Sequence, residues 1–101
     1  MLGETMKLYR QGDVLIEEIA SLPKGLQEKD NILAEGEATG HKHEAVGAVV
    51  YADANGMQYM QVERLATITH QDHRQIQVPK GSYRITKQRE YSPQENRRVR
   101  D

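Results

Sequence analysis

The segment from Ala48 to His70, AVVYADANGMQYMQVERLATITH, restricts the possible folds more than any other part of the chain. Asn55-Gly56 is a dipeptide that readily adopts the positive φ angles of a tight hairpin turn, and it lies between two β-prone runs. After this turn, apolar residues recur at every second position, first as Met60 and Val62 and then in LATITH. A period of two is typical of strands with one buried face, so the segment predicts a β-hairpin.

The same period of two recurs in DVLIEEIA and in QIQVPKGSYRITKQREY. In the second of these segments we interpret Pro79-Lys80-Gly81 as a turn, followed by a returning strand that has Tyr83 and Ile85 on one face. No segment sustains a long amphipathic helix. The sequence therefore predicts an all-β fold, a small single-domain barrel or sandwich of six to eight short strands.

The length of the chain fits one domain. At 101 residues, a second core would leave each part too short to bury enough apolar surface. We expect a single β domain over residues 1–91 and a polar, basic tail over residues 92–101. The chain has no Phe, Trp or Cys, so its core is thin and has no disulfide to reinforce it. A thin core favours self-association, although monomers with thin cores also exist.

The charge balance argues against general binding to anionic partners. Fourteen basic and fifteen acidic residues give a formal net charge of −1, which creates no field that would attract nucleic acid or a membrane surface. Arg97, Arg98 and Arg100 offer a local route to nucleic acid, but acidic neighbours dilute them and a solvated tail is favoured. The first residues contain charges and no apolar run, so we expect neither a secretory signal nor a membrane anchor, and a cytoplasmic location.

The four histidines occur as two close pairs, GHKH and HQDH. His41 and His43 are two residues apart, so in a strand they face the same side at a separation of roughly 6.5–7 Å. His70 and His73 are three apart and need a turn at Gln71-Asp72 to converge. The hairpin lies between the two pairs and offers a way to bring them together.

A cluster of imidazoles predicts a site for a divalent metal ion or a small ligand. Neutral imidazole suits zinc, nickel, copper or iron, and three protein ligands plus water leave a position open for chemistry. Glu44 and Asp72 are candidates to orient an imidazole or to act as general base toward a metal-activated water. The candidate metal ligands are His41, His43, His70 and His73.

Other interpretations stay open at this point. Each pair taken alone is more often a polar surface turn, and a histidine cluster without a cofactor would titrate near neutral pH. The residues do not decide whether the protein is an enzyme. The competing hypothesis is a non-enzymatic interaction module, a phage-type accessory or structural protein that binds protein or nucleic acid through its β surface and basic C-terminus.

Two resemblances bear on the fold and the site. The stretch from Gly36 to Gly47, with its His-x-His, is similar to the first motif of the cupins, which place a metal inside a small β-barrel. HQDH lacks the spacing and trailing Asn of the second cupin motif. The phrases QGDVLI, ILAEGEATGHKH, HQDHRQIQVPKGSYRITKQREYSP and RRVRD resemble a family of small uncharacterised proteins of bacteria and bacteriophages. That resemblance implies candidate sites at the histidine phrases and no catalytic role.

Overall fold

A computed structural model describes residues 6–36 and 40–88, which form an all-β domain and confirm the predicted fold class. The seven strands are β1 (Leu8–Gln11), β2 (Val14–Ile19), β3 (Gln27–Lys29), β4 (Ile32–Glu35), β5 (Lys42–Ala52), β6 (Gln58–Thr69) and β7 (Ile76–Lys87). The tail over 92–101, with Arg97, Arg98 and Arg100, lies outside the described residues. Among the described residues there is no helix of the length and apolarity needed to cross a membrane.

All strands pair antiparallel in one sheet, in the order β1-β2-β7-β6-β5. The long strand β5 carries two short partners, because β4 pairs with its first half and β3 with its second half. The path ends at β1 on one side and at β3 and β4 on the other, so the described strands do not close into a barrel.

The predicted hairpin is confirmed, since β5 and β6 are joined through Asn55-Gly56. Gly56 has a φ of 87°, but Asn55 has no positive φ, so the connection is a five-residue loop over 53–57 rather than the tight turn that the dipeptide predicts. The carboxylate of Asp53 accepts hydrogen bonds from the backbone N–H groups of Asn55 at 2.8 Å and Met57 at 2.9 Å. The side chain thereby replaces the backbone acceptors that the turn lacks.

The core is one cluster on the inner face of the sheet. Side chains two apart along a strand are buried together, including Val14 with Ile16 and Tyr83 with Ile85, as the alternation predicts. The buried hydrophobic residues are Val14, Ile16, Leu33, Ala45, Val50, Met60, Val62, Ala66, Ile68, Val78, Tyr83 and Ile85.

The predicted turn at Pro79-Lys80-Gly81 is wrong, because β7 runs through it as one strand of 12 residues. Val62 pairs with Gly81 and Leu65 pairs with Pro79, so two residues of β6 face one residue of β7 in a β-bulge. Proline has no backbone N–H to offer a ladder, and a bulge tolerates that loss. The Pro-Lys-Gly signal therefore marks a bend in a long strand rather than a reversal of the chain.

The first strand, β1, was not expected from the alternation, and it matters for the site. It forms a two-residue hairpin with β2 through Gly12-Asp13, where Gly12 has a φ of 60°. The amide nitrogen of Gln11, the last residue of β1, donates to the carbonyl oxygens of Ile68 and Arg74, each at 2.9 Å. These two bonds hold the β1–β2 hairpin against the end of β6 and the loop that follows it.

Candidate metal centre

The two histidine pairs meet at one end of the sheet. Glu44 pairs with Thr69 in the β5–β6 ladder, so the preceding residue of β5, His43, lies across from His70, which follows β6. Both side chains point to the inner face, and His43 is only 6% exposed. The loop between β6 and β7 then brings His73 back toward the same position.

The imidazole rings are close to one another. Ring centroids lie 4.3 Å apart for His43 and His70, 4.6 Å for His70 and His73, and 5.7 Å for His43 and His73. One nitrogen from each of these three rings falls within 4.8 Å of the other two. His41 lies beside this trio, with its ring 5.6 Å from that of His70. The structure thus places all four predicted residues together, with three of them as the compact group.

A cavity of about 200 Å³ opens beside the rings. All four histidines contribute to its wall, together with residues of the β1–β2 turn and the end of β4. Two of these wall residues are acidic, Asp13 and Glu35, and neither was expected from the sequence. The cavity is therefore lined by imidazoles and carboxylates, the two side-chain types that most often hold divalent metals without cysteine.

Gln11 fixes the tautomer of His43. Its amide oxygen lies 2.7 Å from Nδ1 of His43, while its amide nitrogen is occupied by two backbone carbonyl oxygens. The amide can therefore only accept from the ring, so the proton of the neutral imidazole is on Nδ1. The lone pair of His43 is consequently on Nε2, as in histidines whose other nitrogen donates to an oriented oxygen beside a metal.

His70 has the opposite arrangement. Its Nδ1 accepts hydrogen bonds from the backbone N–H groups of Asp72, at 2.9 Å, and His73, at 3.2 Å. A flipped ring would present a C–H group to these two donors, so the assignment of Nδ1 is fixed by its surroundings. The neutral ring therefore carries its proton on Nε2.

Asp72 contacts His41 rather than the cavity. Its carboxylate oxygen Oδ2 lies 2.9 Å from Nδ1 of His41, and its side chain is 68% exposed. A carboxylate only accepts, so the Nδ1 of His41 is the donor. The neighbouring Gln71 makes a parallel contact, since its Oε1 accepts from the backbone N–H of Lys42 at 2.8 Å.

The other predicted acid, Glu44, is not among the residues that line the cavity. Successive side chains of a strand point to opposite faces, and the adjacent His43 faces inward. This places Glu44 on the outer face, where its carbonyl oxygen accepts from the hydroxyl of Thr69 at 3.5 Å. Among the described residues, the carboxylates of Asp13 and Glu35 line the cavity where Glu44 was expected.

The surroundings lower the pKa of two of the four histidines, His43 and His70. Burial lowers the pKa of His43 from 6.5 to about 4, with repulsion from protonated His70 and His73 adding to the effect. The pKa of His70 is also lowered, first by burial and then by His73 and His41. The carboxylate of Asp13 acts in the opposite direction on both rings. At neutral pH His43 is therefore neutral, with a lone pair suited to a metal.

Gln11 is the site residue that sequence reasoning missed most completely. It contacts residues 32, 57 and 63 positions away in the chain, at His43, Ile68 and Arg74. No local pattern reports partners at such separations. The only nearby signal was the Gly12-Asp13 dipeptide, a common turn former that indicates where a strand ends.

Comparisons with known proteins give a family and nothing more specific. No curated protein matches the chain, and no solved structure does. A family model described as Domain of unknown function (DUF8820) matches residues 10–88. The match covers most of the chain and includes all four histidines, Gln11 and Asp13. The chain belongs to this family of domains of unknown function.

Proposed function

We propose that this β domain binds a divalent transition-metal ion at the histidine cluster, with His43, His70 and His73 as its ligands and His41 beside them. One observation carries the proposal: a nitrogen from each of the three rings lies within 4.8 Å of the other two. The three residues come from a strand and a loop that the sheet holds together, so their approach does not depend on a single local turn.

The distances suit an ion after a small adjustment. Zinc binds imidazole nitrogen at roughly 2.0–2.1 Å, so two ligands of a tetrahedral ion have nitrogens roughly 3.3 Å apart. Rotations of the three side chains would reduce the nitrogen separations from at most 4.8 Å toward this value. With no cysteine in the chain, imidazole ligands favour zinc, nickel, copper or iron over calcium or magnesium.

The surroundings support a site with an open position. Gln11 already aims the Nε2 lone pair of His43 away from its own amide. Three protein ligands leave at least one position for water or a small ligand. The cavity supplies room for it, and Asp13 and Glu35 in the wall provide acceptors for its protons.

The test is calorimetric titration of the untagged full-length protein with zinc chloride and, separately, with nickel chloride after removal of metal by a chelator. We expect one ion per chain. His43→Ala and His73→Ala are each expected to weaken zinc binding by at least about 100-fold, because loss of a group that only supports a ligand already costs roughly 10–100-fold.

Glu44→Gln is the matched control, because it lies next to His43 on the outer face and is expected to leave the affinity unchanged within about twofold. Circular dichroism of each variant confirms that it is folded. Equally weak zinc and nickel binding by the wild type and the His43→Ala/His73→Ala double variant would contradict the proposal.

Self-association through the outer face of β5 and β6 is a second candidate role, one that treats the domain as an interaction module. Val46 is 53% exposed and Leu65 is 50% exposed, and the Leu65 carbonyl lies against Gly47, next to Val46. Apolar side chains grouped on one face favour contact with a second copy. Sedimentation velocity over a range of concentrations tests this: Val46→Lys/Leu65→Lys should abolish any dimer and leave zinc affinity unchanged.

A further inference from the structure

His70 belongs to the metal-binding trio and also holds the loop that follows it. The backbone N–H groups of Asp72 and His73 both donate to its Nδ1. These two bonds close a compact turn over residues 71–73, which we call the 71–73 turn. The His70 ring therefore has two possible uses for its nitrogen lone pair: to bind a metal ion, or to accept these two hydrogen bonds.

If His70 binds a metal ion, neither of these two hydrogen bonds can persist. If Nδ1 binds the metal, its lone pair is no longer available to the two N–H donors. If Nε2 binds the metal, the proton of the neutral ring moves to Nδ1, where it faces the same two donors. Whichever nitrogen coordinates, the N–H groups of Asp72 and His73 lose their acceptor.

The 71–73 turn also ties the loop to the start of β5. Gln71 Oε1 accepts from the backbone N–H of Lys42 at 2.8 Å, and Asp72 Oδ2 contacts Nδ1 of His41 at 2.9 Å. Asp72 is held by its own bond to His70, and Gln71 lies between these two residues in the chain. A change at His70 is therefore passed to two links between the loop and β5.

We propose that metal binding releases the 71–73 turn from β5, so that the metal-free turn is a clasp that opposes binding. This inference rests on the proposed metal site and describes how that site is regulated. The metal gains His70 as a ligand at the expense of the turn. The loop then moves away from Lys42 and His41.

The clasp makes an unusual prediction about zinc affinity. Gln71→Ala and Asp72→Ala each remove one contact that holds the turn closed, so each is expected to tighten zinc binding by about threefold to tenfold, the range for one hydrogen bond. If Asp72 instead supports His41 as a metal ligand, Asp72→Ala weakens binding. Glu44→Gln again serves as the control with no expected change.

Nuclear magnetic resonance of the full-length protein provides the second measurement. In the metal-free state the ¹⁵N shifts of His70 should show an unprotonated Nδ1 and a protonated Nε2. With one equivalent of zinc, this pattern should be lost, and the amides of Asp72 and His73 should exchange with solvent at least about tenfold faster. The amide of Ile68, within β6, is the internal reference and should not change.

Three results would overturn the inference. In the first, zinc is bound but His70 keeps its metal-free ¹⁵N shifts and the amides of Asp72 and His73 keep their protection. The turn would then still be closed. Weaker zinc binding by both Gln71→Ala and Asp72→Ala shows that the turn supports the site. Absence of zinc binding by the wild type removes the proposed function as well, whereas the first two results leave that function in place.

Discussion

The amide oxygen of Gln11 and Nδ1 of His43 lie 2.7 Å apart, and the two residues are only 3% and 6% exposed. This contact joins the first strand of the sheet to the fifth. The amide nitrogen of Gln11 also donates to two backbone carbonyls, so three partner groups and the two polar atoms of Gln11 itself are satisfied at once.

Gln11→Ala is expected to destabilise the protein by about 2–4 kcal/mol, because it leaves two carbonyl oxygens and one ring N–H without a partner. Urea unfolding at pH 7, with a chelator present, measures the loss. Gln11→Glu keeps the shape but cannot donate to Ile68 and Arg74, so it should be at least as destabilising. A loss below about 0.5 kcal/mol for Gln11→Ala would show that water replaces the amide.

The metal-free protein should lose stability in mild acid. His43 has a pKa of about 4 in the native state and 6.5 as its ordinary value, so between these pH values the unfolded chain binds the proton and the native protein does not. Stability is therefore retained above pH 6.5 and falls as the pH decreases toward 4, by about 3 kcal/mol from this group.

Urea unfolding of wild type and His43→Gln between pH 7 and pH 4.5 separates this effect from that of the carboxylates. Glutamine still offers a donor to Gln11 but does not titrate, so the variant should have a shallower pH dependence. Equal slopes in the two proteins would show that the pKa of His43 is not lowered in the native state.

Gly12→Ala is expected to displace His73. A Cβ at Gly12 would lie 2.7 Å from Nε2 of His73, and the φ of 60° disfavours any side chain. Zinc affinity should fall by at least about tenfold, as for loss of support to a ligand. Gly25→Ala is the matched control, with a φ of 81° and nothing within 4 Å of the added Cβ. Similar affinities for both variants would contradict the contact.

Tyr83→Phe should lower the free energy of unfolding by about 1 kcal/mol, because the buried hydroxyl donates to the carbonyl of Pro79 at 2.7 Å. Burial raises the pKa of Tyr83 to about 12, with Tyr9 and Glu18 contributing. The unfolded chain releases this proton near pH 10, so the wild type should lose stability between pH 10 and 12. A pH series of thermal unfolding that shows the same decline in Tyr83→Phe would exclude this cause.

The sequence was enough to predict those parts of the fold that depend on local residue patterns. Asn55-Gly56 forms a hairpin, and the alternation identified the buried faces of β2, β6 and β7. The prediction of a turn at Pro79-Lys80-Gly81 failed, because the same three residues suit both a turn and a bulge. Only the pairing with β6, in which two residues of β6 face one residue of β7, decides between them.

The candidate site was likewise predicted in part from the sequence. The spacing of His41 and His43, and the turn needed between His70 and His73, were readable from the chain. The approach of the two pairs depends on the register of β5 and β6, which a sequence does not state. Asp13 belongs to a turn that packs on the site only after the sheet has folded over, so no spacing could indicate it.

The bonds of Gln11 also bear on the order in which the protein folds. They close loops of 57 and 63 residues, whereas the β5–β6–β7 meander connects neighbours in sequence. Contacts between distant residues carry a larger entropic cost of loop closure and generally form late. We expect the meander to fold first and the β1–β2 hairpin to dock last, so metal-binding competence would report completion of folding.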